Sequence, residues 1–367
     1  MRILHITPFY KPDVGGMETF TSHLVPELQR RGHENLVLTS RRIDAPGGPA
    51  EVDGVPVHRL DYIVPLYNKD AGGILRAKKA AERIKQEFQP DVIVVNLGGP
   101  MAFLYLSTEN TAPAPLVVIA HDLSAPGISV PTLRQLFGLA SHVTAVSAAR
   151  LRDAQRIAPE AASRMSIVHP CLPRREFLPG VARSATPLAL MTGRLDAVKG
   201  FDLAIEAFGR VHRELPHARL VLVGDGPGFQ ELHSQINQLG LDGVVHLAGY
   251  LPDSQLTRLY QEAWVSLVPS RHSESFGLVA LEAMQAACPV IASDTGGLGE
   301  VVVDGETGIL FPKEDVQQLA ASILALFRND ELRLRMGEAG RRRAEDHFAW
   351  ERCVAAYESI LHQVARQ

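Results

Sequence analysis

Short apolar segments alternate with longer segments of helical period along the whole chain, which is the pattern of stacked βαβ units. A parallel sheet that is covered on both faces needs strands that are apolar throughout, and the covering helices need one apolar stripe. The pattern therefore predicts an α/β protein with two Rossmann-like halves. In the first half the predicted strands are Ile3–Ile6, Asn35–Thr39, Val57–Leu60, Val92–Val95, Leu116–Ile119 and Val143–Val146.

The second half repeats this alternation after a segment without apolar period. Its predicted strands are Leu188–Thr192, Arg219–Val223, Val244–Leu247, Trp264–Val268, Pro289–Ala292 and Thr307–Phe311. The segment from Cys171 to Pro187 contains three prolines and is interpreted as a linker. We expect an N-terminal domain over residues 1–175 and a C-terminal domain over residues 176–349, with a final helix at about 350–367 that packs back on the N-terminal domain.

The clearest predicted helix runs from Gly73 to Phe88 and carries five basic side chains on its polar faces. These charges leave two interpretations open: a solvated helix face, or peripheral contact with an anionic membrane at its inner face. No stretch approaches the roughly 18 uninterrupted apolar residues of a spanning helix. The helix is therefore the candidate for membrane contact, and nothing is expected to cross the membrane.

Composition narrows the class of protein. The chain has 367 residues, of which 46% are apolar, enough for two folded domains. Net charge is −4, divided as +4 over residues 1–185 and −8 over residues 186–367, which indicates two domains with different partners. No dense basic stripe or zinc-finger spacing indicates nucleic-acid binding. The three cysteines are far apart, which fits a reducing cytoplasm.

The segment from Pro269 to Met284 is the most informative part of the sequence. It follows a predicted strand and carries Glu274 in a loop, with Glu282 one turn into the next helix. Carboxylates accept hydrogen bonds from the paired hydroxyls of a sugar or ribose, and a helix N-terminus favours phosphate. Acidic residues also favour first helical turns for electrostatic reasons, which would account for Glu282 but not for Glu274.

The loop TGRLDAVKG, residues 192–200, places two cations after another predicted strand. Arg194 could neutralise a diphosphate with its forked guanidinium and Lys199 with its point charge. Surface loops often carry such residues, so the loop alone leaves both interpretations open.

Glycine-rich loops follow three further predicted strands, at residues 15–16, 224–228 and 296–297. Glycine lets backbone N–H groups approach a phosphate, although ordinary turns explain such loops equally well. None of them has the GxGxxG spacing of a dinucleotide site. The loops should outline the edge at which open α/β sheets bind ligands.

These motifs occur in one order: a GG pair, GRLxxxKG, GDGP, an E-x7-E formed by Glu274 and Glu282, PVIASDTGGxxE and DGxTGxL. In this respect the chain resembles the retaining glycosyltransferases of family 4, which have the GT-B fold of two Rossmann-like domains with parallel sheets facing a central cleft. The similarity is densest over residues 188–312. The chain departs from the family at residues 168–173, where VHPCLP replaces the usual Asn-Gly-Val-Asp.

The resemblance implies a hexosyltransferase that retains configuration, forms an α linkage and needs no metal or cofactor. Its donor would be a UDP-, GDP- or ADP-sugar, and its acceptor, a glycan, lipid-linked or small-molecule hydroxyl, is not indicated. Arg194 and Lys199 would hold the diphosphate, while Glu274 would bind the transferred sugar. Glu282 would bind the ribose. The other donor-binding positions implied are Gly15, Gly16, Phe276, Gly277, Leu278 and Val279.

His121 follows a predicted strand at the place where the family has a histidine near the anomeric carbon. The resemblance implies that its carbonyl supports developing positive charge, whereas a strand-end histidine satisfied by the backbone is the alternative. Two other functions also stay open: a sugar phosphorylase or synthase on the same fold, and a non-catalytic nucleotide-sugar binding module.

Overall fold

A computed structural model describes residues 1–41, 48, 50–124 and 128–366. The chain divides into two compact units, one comprising Met1–Pro170 with Glu351–Gln367 and the other Cys171–Trp350. The sequence-based boundaries lie at 175/176 and 349/350, within a few residues of these divisions. Gln367, the last residue of the expected final helix, lies outside the described residues.

The first unit contains an eight-stranded sheet that is parallel except at one edge. Its elements are β1 (Arg2–Thr7), α1 (Gly16–Arg30), β2 (Glu34–Ser40), β3 (Glu51–Val52), β4 (Val55–Leu60), α2 (Ile63–Tyr67), α3 (Ala71–Phe88), β5 (Val92–Leu97), α4 (Met101–Ser107), β6 (Leu116–Ala120), α5 (Val130–Leu139), β7 (His142–Ala145), α6 (Ala148–Ile157) and β8 (Met165–Ile167). The strand order β3-β4-β2-β1-β5-β6-β7-β8 reverses direction between β1 and β5. All six strands predicted for this half are confirmed.

The second unit contains a six-stranded sheet in the order β11-β10-β9-β12-β13-β14, parallel at every pairing. Its elements are β9 (Leu188–Thr192), α7 (Phe201–Glu214), β10 (Arg219–Val223), α8 (Phe229–Gln238), β11 (Val245–Gly249), α9 (Asp253–Glu262), β12 (Val265–Val268), α10 (Leu278–Gln285), β13 (Val290–Ser293), α11 (Leu298–Val301), β14 (Gly308–Phe311), α12 (Val316–Arg328) and α13 (Asp330–His347). The six predicted strands are again present. The central strands β9, β12 and β13 are buried at every residue, whereas only Val245 of the edge strand β11 is buried.

The last helix, α14 (Trp350–Val364), returns to the first unit. It buries an apolar stripe, with Val354, Tyr357 and Leu361 each at most 3% exposed. The Tyr357 ring lies 5.6 Å from that of Phe20 on α1, and the Cys353 thiol donates to the His169 carbonyl at 3.2 Å. These contacts complete the core of the first unit with residues from the far end of the chain.

The segment interpreted as a linker, residues 171–187, contains no helix or strand, but hydrogen bonds tie it to the second unit. The Arg183 guanidinium donates to four backbone carbonyls, those of Tyr260, Ala263, Ala286 and Ala287. A planar guanidinium can satisfy several acceptors at once. From Cys171 onward the segment therefore belongs to the second unit.

The basic helix α3 exposes less positive charge than its sequence indicates. Lys85 is fully buried, and its ammonium donates to the Thr108 carbonyl at 2.5 Å. Burial lowers the pKa of Lys85 to about 8, against the opposing influence of Glu109 and Glu82. Membrane contact through α3 stays a prediction. Within the described residues, no helix is both long and apolar enough to traverse a bilayer.

Candidate active site

Two loops of the second unit meet at the point where the strand order of its sheet reverses. Strands β9 and β12 are neighbours in the sheet although they are far apart in sequence, and both continue into loops at the same edge. The β9 loop carries Arg194 and Lys199, and the β12 loop carries Glu274. Reversal points of open α/β sheets are where ligands bind. The topology thus brings the predicted residues of two motifs to the same edge of the sheet.

Lys199 and Glu274 form an ion pair across these two loops. The Lys199 Nζ lies 2.7 Å from the Glu274 Oε1, and the Ser270 hydroxyl donates to the same oxygen at 2.5 Å. The Lys199 side chain remains 35% exposed and that of Glu274 16% exposed. Within the described part of the chain, Glu274 Oε2 has no protein donor, so it retains acceptor capacity for a hydroxyl. The site therefore offers both a cation and a carboxylate at one accessible point.

Glycines allow the loops that carry this pair to touch through their backbones. Gly200 has φ +77°, and a Cβ there would lie 2.1 Å from the Pro269 carbonyl oxygen. Gly296 has φ +57°, and its Cβ would lie 2.1 Å from the carbonyl oxygen of Glu274. Real Cβ atoms do not approach so closely, and L side chains rarely adopt such φ values. Loop-to-loop packing therefore requires glycine at these two positions.

Arg194 lies in the same loop as Lys199, but it does not take part in the ion pair between Lys199 and Glu274. Its Nε and Nη2 both contact Asp196 Oδ2 at 2.6 Å, and its side chain is 66% exposed. A guanidinium has five N–H donors, so this contact leaves three for a ligand. Arg194 is thus available at the surface of the loop.

The N-terminus of α10 follows the Glu274 loop directly. Gly277 precedes the helix with φ +109°, and no side chain caps the first turn, which contains Leu278 and Val279. Phe276 is 3% exposed, and its ring packs edge-on against Phe348 at 5.5 Å. The Phe276 side chain is therefore a core group, and only its backbone can serve a ligand.

Glu282 is the most constrained of the predicted residues. Its Oε1 lies 2.9 Å from Arg175 Nη2, and its Oε2 accepts a hydrogen bond from the Tyr260 hydroxyl at 2.8 Å. Tyr260 is fully buried, and burial together with the neighbouring Glu282 raises the pKa of its hydroxyl well above the usual range. The Glu282 side chain is 12% exposed. It lies on α10, one helix turn and a half beyond the Glu274 loop.

In the first unit, the glycine pair lies where α1 begins after the loop that follows β1. Gly15 precedes the helix with extended φ, and Gly16 is its first residue. A Cβ on Gly15 would lie 2.2 Å from Glu18 Oε2. The first turn of α1 has no side-chain cap, and Gly16 is exposed.

His121 directly follows β6 of the first unit and is 7% exposed. Its Nε2 donates to Asn96 Oδ1 at 3.2 Å, and its backbone N–H donates to the Leu97 carbonyl at 3.3 Å. Burial lowers the pKa of His121 to about 3, although Asp122 acts to raise it. The imidazole is therefore neutral at physiological pH, and it does not act as a general acid there.

Sequence reasoning missed four residues that hold this site: Ser270, Asp196, Arg175 and Tyr260. Asp196 stands two residues after Arg194 and could have been identified from that spacing. Arg175 lies in the segment interpreted as a linker, and Tyr260 lies in the apolar pattern of α9. Their partners are distant in sequence, so no local pattern indicated them.

Two protein-family profiles together match most of the chain. The profile described as "Glycosyl transferases group 1" matches residues 176–343, and the profile described as "Glycosyltransferase Family 4" matches residues 14–174. A D-inositol 3-phosphate glycosyltransferase of Xylanimonas cellulosilytica is 29% identical, and the alignment covers 100% of this chain and 97% of that protein.

Solved structures show the same fold. Sucrose-phosphate synthase of Thermosynechococcus elongatus superposes with a TM-score of 0.84 at 21% identity, covering 99% of both chains. Anabaena HepE in complex with UDP-glucose superposes with a TM-score of 0.78 at 23% identity, covering 100% of both chains. Two Rossmann-like units with these neighbours define the GT-B fold. The chain belongs to the glycosyltransferases of group 1 and family 4.

Proposed function

We propose that this glycosyltransferase moves a hexose-type sugar from a nucleoside diphosphate sugar to an acceptor hydroxyl, with retention and an α linkage, and without a metal ion. The observation that carries the proposal is the Lys199–Glu274 pair at the reversal point of the second sheet. Solved structures of HepE in complex with UDP and with UDP-glucose support a nucleotide-sugar donor.

The cations serve the leaving group. Lys199 would contact the diphosphate and stabilise the negative charge that develops as the glycosidic bond breaks, which is usually the largest catalytic contribution of this kind. Arg194, with three N–H donors beyond its contact with Asp196, would bind further phosphate oxygens. The uncapped N–H groups at Leu278 and Val279 favour the same anion.

The carboxylates serve the hydroxyls. Glu274 Oε2 would accept a hydrogen bond from the transferred sugar, while Lys199 and Ser270 hold its other oxygen. Glu282 would accept from the ribose. In the first unit, His121 would orient the sugar and would support positive charge through its backbone carbonyl. Its neutral imidazole would not supply a proton. The donor's own phosphate would take the acceptor proton. Gly15 and Gly16 would present backbone N–H groups to the diphosphate.

A panel of UDP-, GDP- and ADP-glucose tests the proposal. Each donor is scored by thermal stabilisation and by slow hydrolysis without acceptor, and glycerol in excess then serves as surrogate acceptor. We expect one donor to stabilise the protein and to yield an α-glycoside, read from the anomeric proton by NMR. A β-glycoside would contradict retention.

Two other outcomes identify the alternative functions. Stabilisation by a donor without any turnover would indicate a binding module. Turnover that requires inorganic phosphate would indicate a phosphorylase.

Metal removal gives a separate prediction. Because Lys199 and Arg194 already supply positive charge to the diphosphate, donor turnover should stay within about twofold in excess EDTA. Among the described residues, one cluster could hold a metal ion, formed by His33, Glu358 and His362, and it contains no predicted donor-site residue. Loss of turnover in EDTA, restored by Mg²⁺ or Mn²⁺, would contradict metal independence.

A further inference from the structure

Glu282 belongs to a chain of four side chains that also includes Thr192, Tyr260 and Arg175. Tyr260 donates its hydroxyl proton to Glu282 Oε2 at 2.8 Å, so the Thr192 hydroxyl, 2.8 Å from the same phenol oxygen, is the donor in their contact. On the other side, Arg175 Nη2 lies 2.9 Å from Glu282 Oε1. Every member of the chain has its partner, and each member comes from a different segment of the second unit.

Arg175 is itself fixed at two further points. Its Nη1 donates to the Thr257 hydroxyl at 3.1 Å, and its guanidinium carbon lies 5.5 Å from the centre of the Tyr260 ring. The Arg175 side chain is 15% exposed. A charged group so far removed from water needs such partners. The two groups that hold Glu282 therefore also hold each other.

This arrangement leaves a defined part of the carboxylate for a ligand. An ionised carboxylate offers about four lone-pair sites, and Arg175 and Tyr260 occupy one on each oxygen. One site on each oxygen remains, and the 12% exposure of Glu282 gives a small ligand access to it. Two acceptors held at fixed positions match the two adjacent hydroxyls of a ribose. A carboxylate free to rotate would match them less well, because binding would have to restrict it.

We propose that Arg175 and Tyr260 are positioning residues that orient Glu282 for the ribose of the donor. The inference rests on the proposed function, in which Glu282 binds the ribose. It assigns a role in donor selection to the segment between the last strand of the first unit and β9.

Deoxyribose donors test this role. The kcat/KM of UDP-glucose, or of the GDP or ADP donor that the panel selects, is divided by that of its 2′-deoxy and 3′-deoxy analogues. We expect a ratio of about 10 to 100 in the unaltered protein, the effect of one hydrogen bond to a charged group. In Glu282→Ala the ratio should fall to near 1. In Arg175→Met and Tyr260→Phe it should fall at least about fivefold, and Arg175→Lys should restore part of it.

The control is Arg258→Met, because Arg258 lies on the same helix as Tyr260, is 63% exposed and pairs with Glu262 instead. Its ratio should equal that of the unaltered protein. Discrimination that persists in Arg175→Met and Tyr260→Phe but vanishes in Glu282→Ala would overturn the positioning role. Discrimination that persists in Glu282→Ala would overturn the ribose assignment itself. Tyr260→Phe removes one oxygen only, so it keeps the test decisive if Arg175→Met fails to fold.

Discussion

At the scale of single residues, burial decides which titratable groups take part in chemistry. His121 is buried at the end of β6, and Lys85 is buried on the inner face of α3, whereas Lys199 stays partly exposed beside Glu274. Burial of a histidine favours its neutral form, and for His121 burial outweighs the opposing influence of Asp122. His121 is therefore suited to orient a neutral sugar, and Lys199 is suited to bind a charged diphosphate.

The buried state of His121 predicts a dependence of stability on pH. Folding lowers its pKa from 6.5 to about 3, so its stabilising contribution is complete above pH 6.5 and is lost as the pH falls from there towards 3. Between pH 7 and pH 5 the first unit should lose about 2 kcal/mol through this group. In His121→Gln that loss should be absent.

The measurement is amide hydrogen exchange of β6 at both pH values, corrected for intrinsic rates. His5, which burial also leaves with a lowered pKa of about 4, adds an equal background to both proteins. Equal losses in the unaltered protein and in His121→Gln would contradict the assignment of a neutral imidazole.

At the scale of elements, the site depends on loops that pack against one another. Gly200→Ala should destabilise the second unit well beyond the 1–2 kcal/mol or so that a left-handed residue costs, because its Cβ would also meet the Pro269 carbonyl. Gly240→Ala is the matched control, since Gly240 has φ +65° and nothing within 4 Å of its Cβ position. Urea unfolding followed by Trp264 fluorescence compares the two. Equal losses would show that the loop contact is not tight.

The elements themselves could be predicted from the sequence far better than their contacts. Apolar runs such as Leu188–Thr192 and Arg219–Val223 coincide with β9 and β10, because burial on both faces leaves a local pattern. The short strands β3 and β8 were missed, since two or three residues carry no period. The ion pair of Lys199 with Glu274 joins positions 75 residues apart. Family resemblance indicated both residues, but only the fold shows that they touch.

At the scale of the whole molecule, the first unit is completed by α14. Tyr357 is 2% exposed and packs against Phe20, so Tyr357→Ala should destabilise the first unit by about 3 kcal/mol. Gln363→Ala on the same helix changes an exposed side chain and should have no effect beyond about 0.5 kcal/mol. Hydrogen exchange of β1 and β2 reports the change. A loss confined to β9 and β12 would contradict the assignment of α14 to the first unit.

The proposed function depends above all on the Lys199–Glu274 pair as the centre of the donor-binding site. Its most direct test is the rate of donor turnover in Lys199→Ala and Glu274→Ala, with Lys313→Ala and Glu306→Ala as exposed controls of the same residue types. We predict that each site variant loses at least about 100-fold in kcat while its thermal unfolding stays cooperative, and that both controls keep their rate. Unchanged turnover in Lys199→Ala and Glu274→Ala would show that the pair does not belong to the donor site.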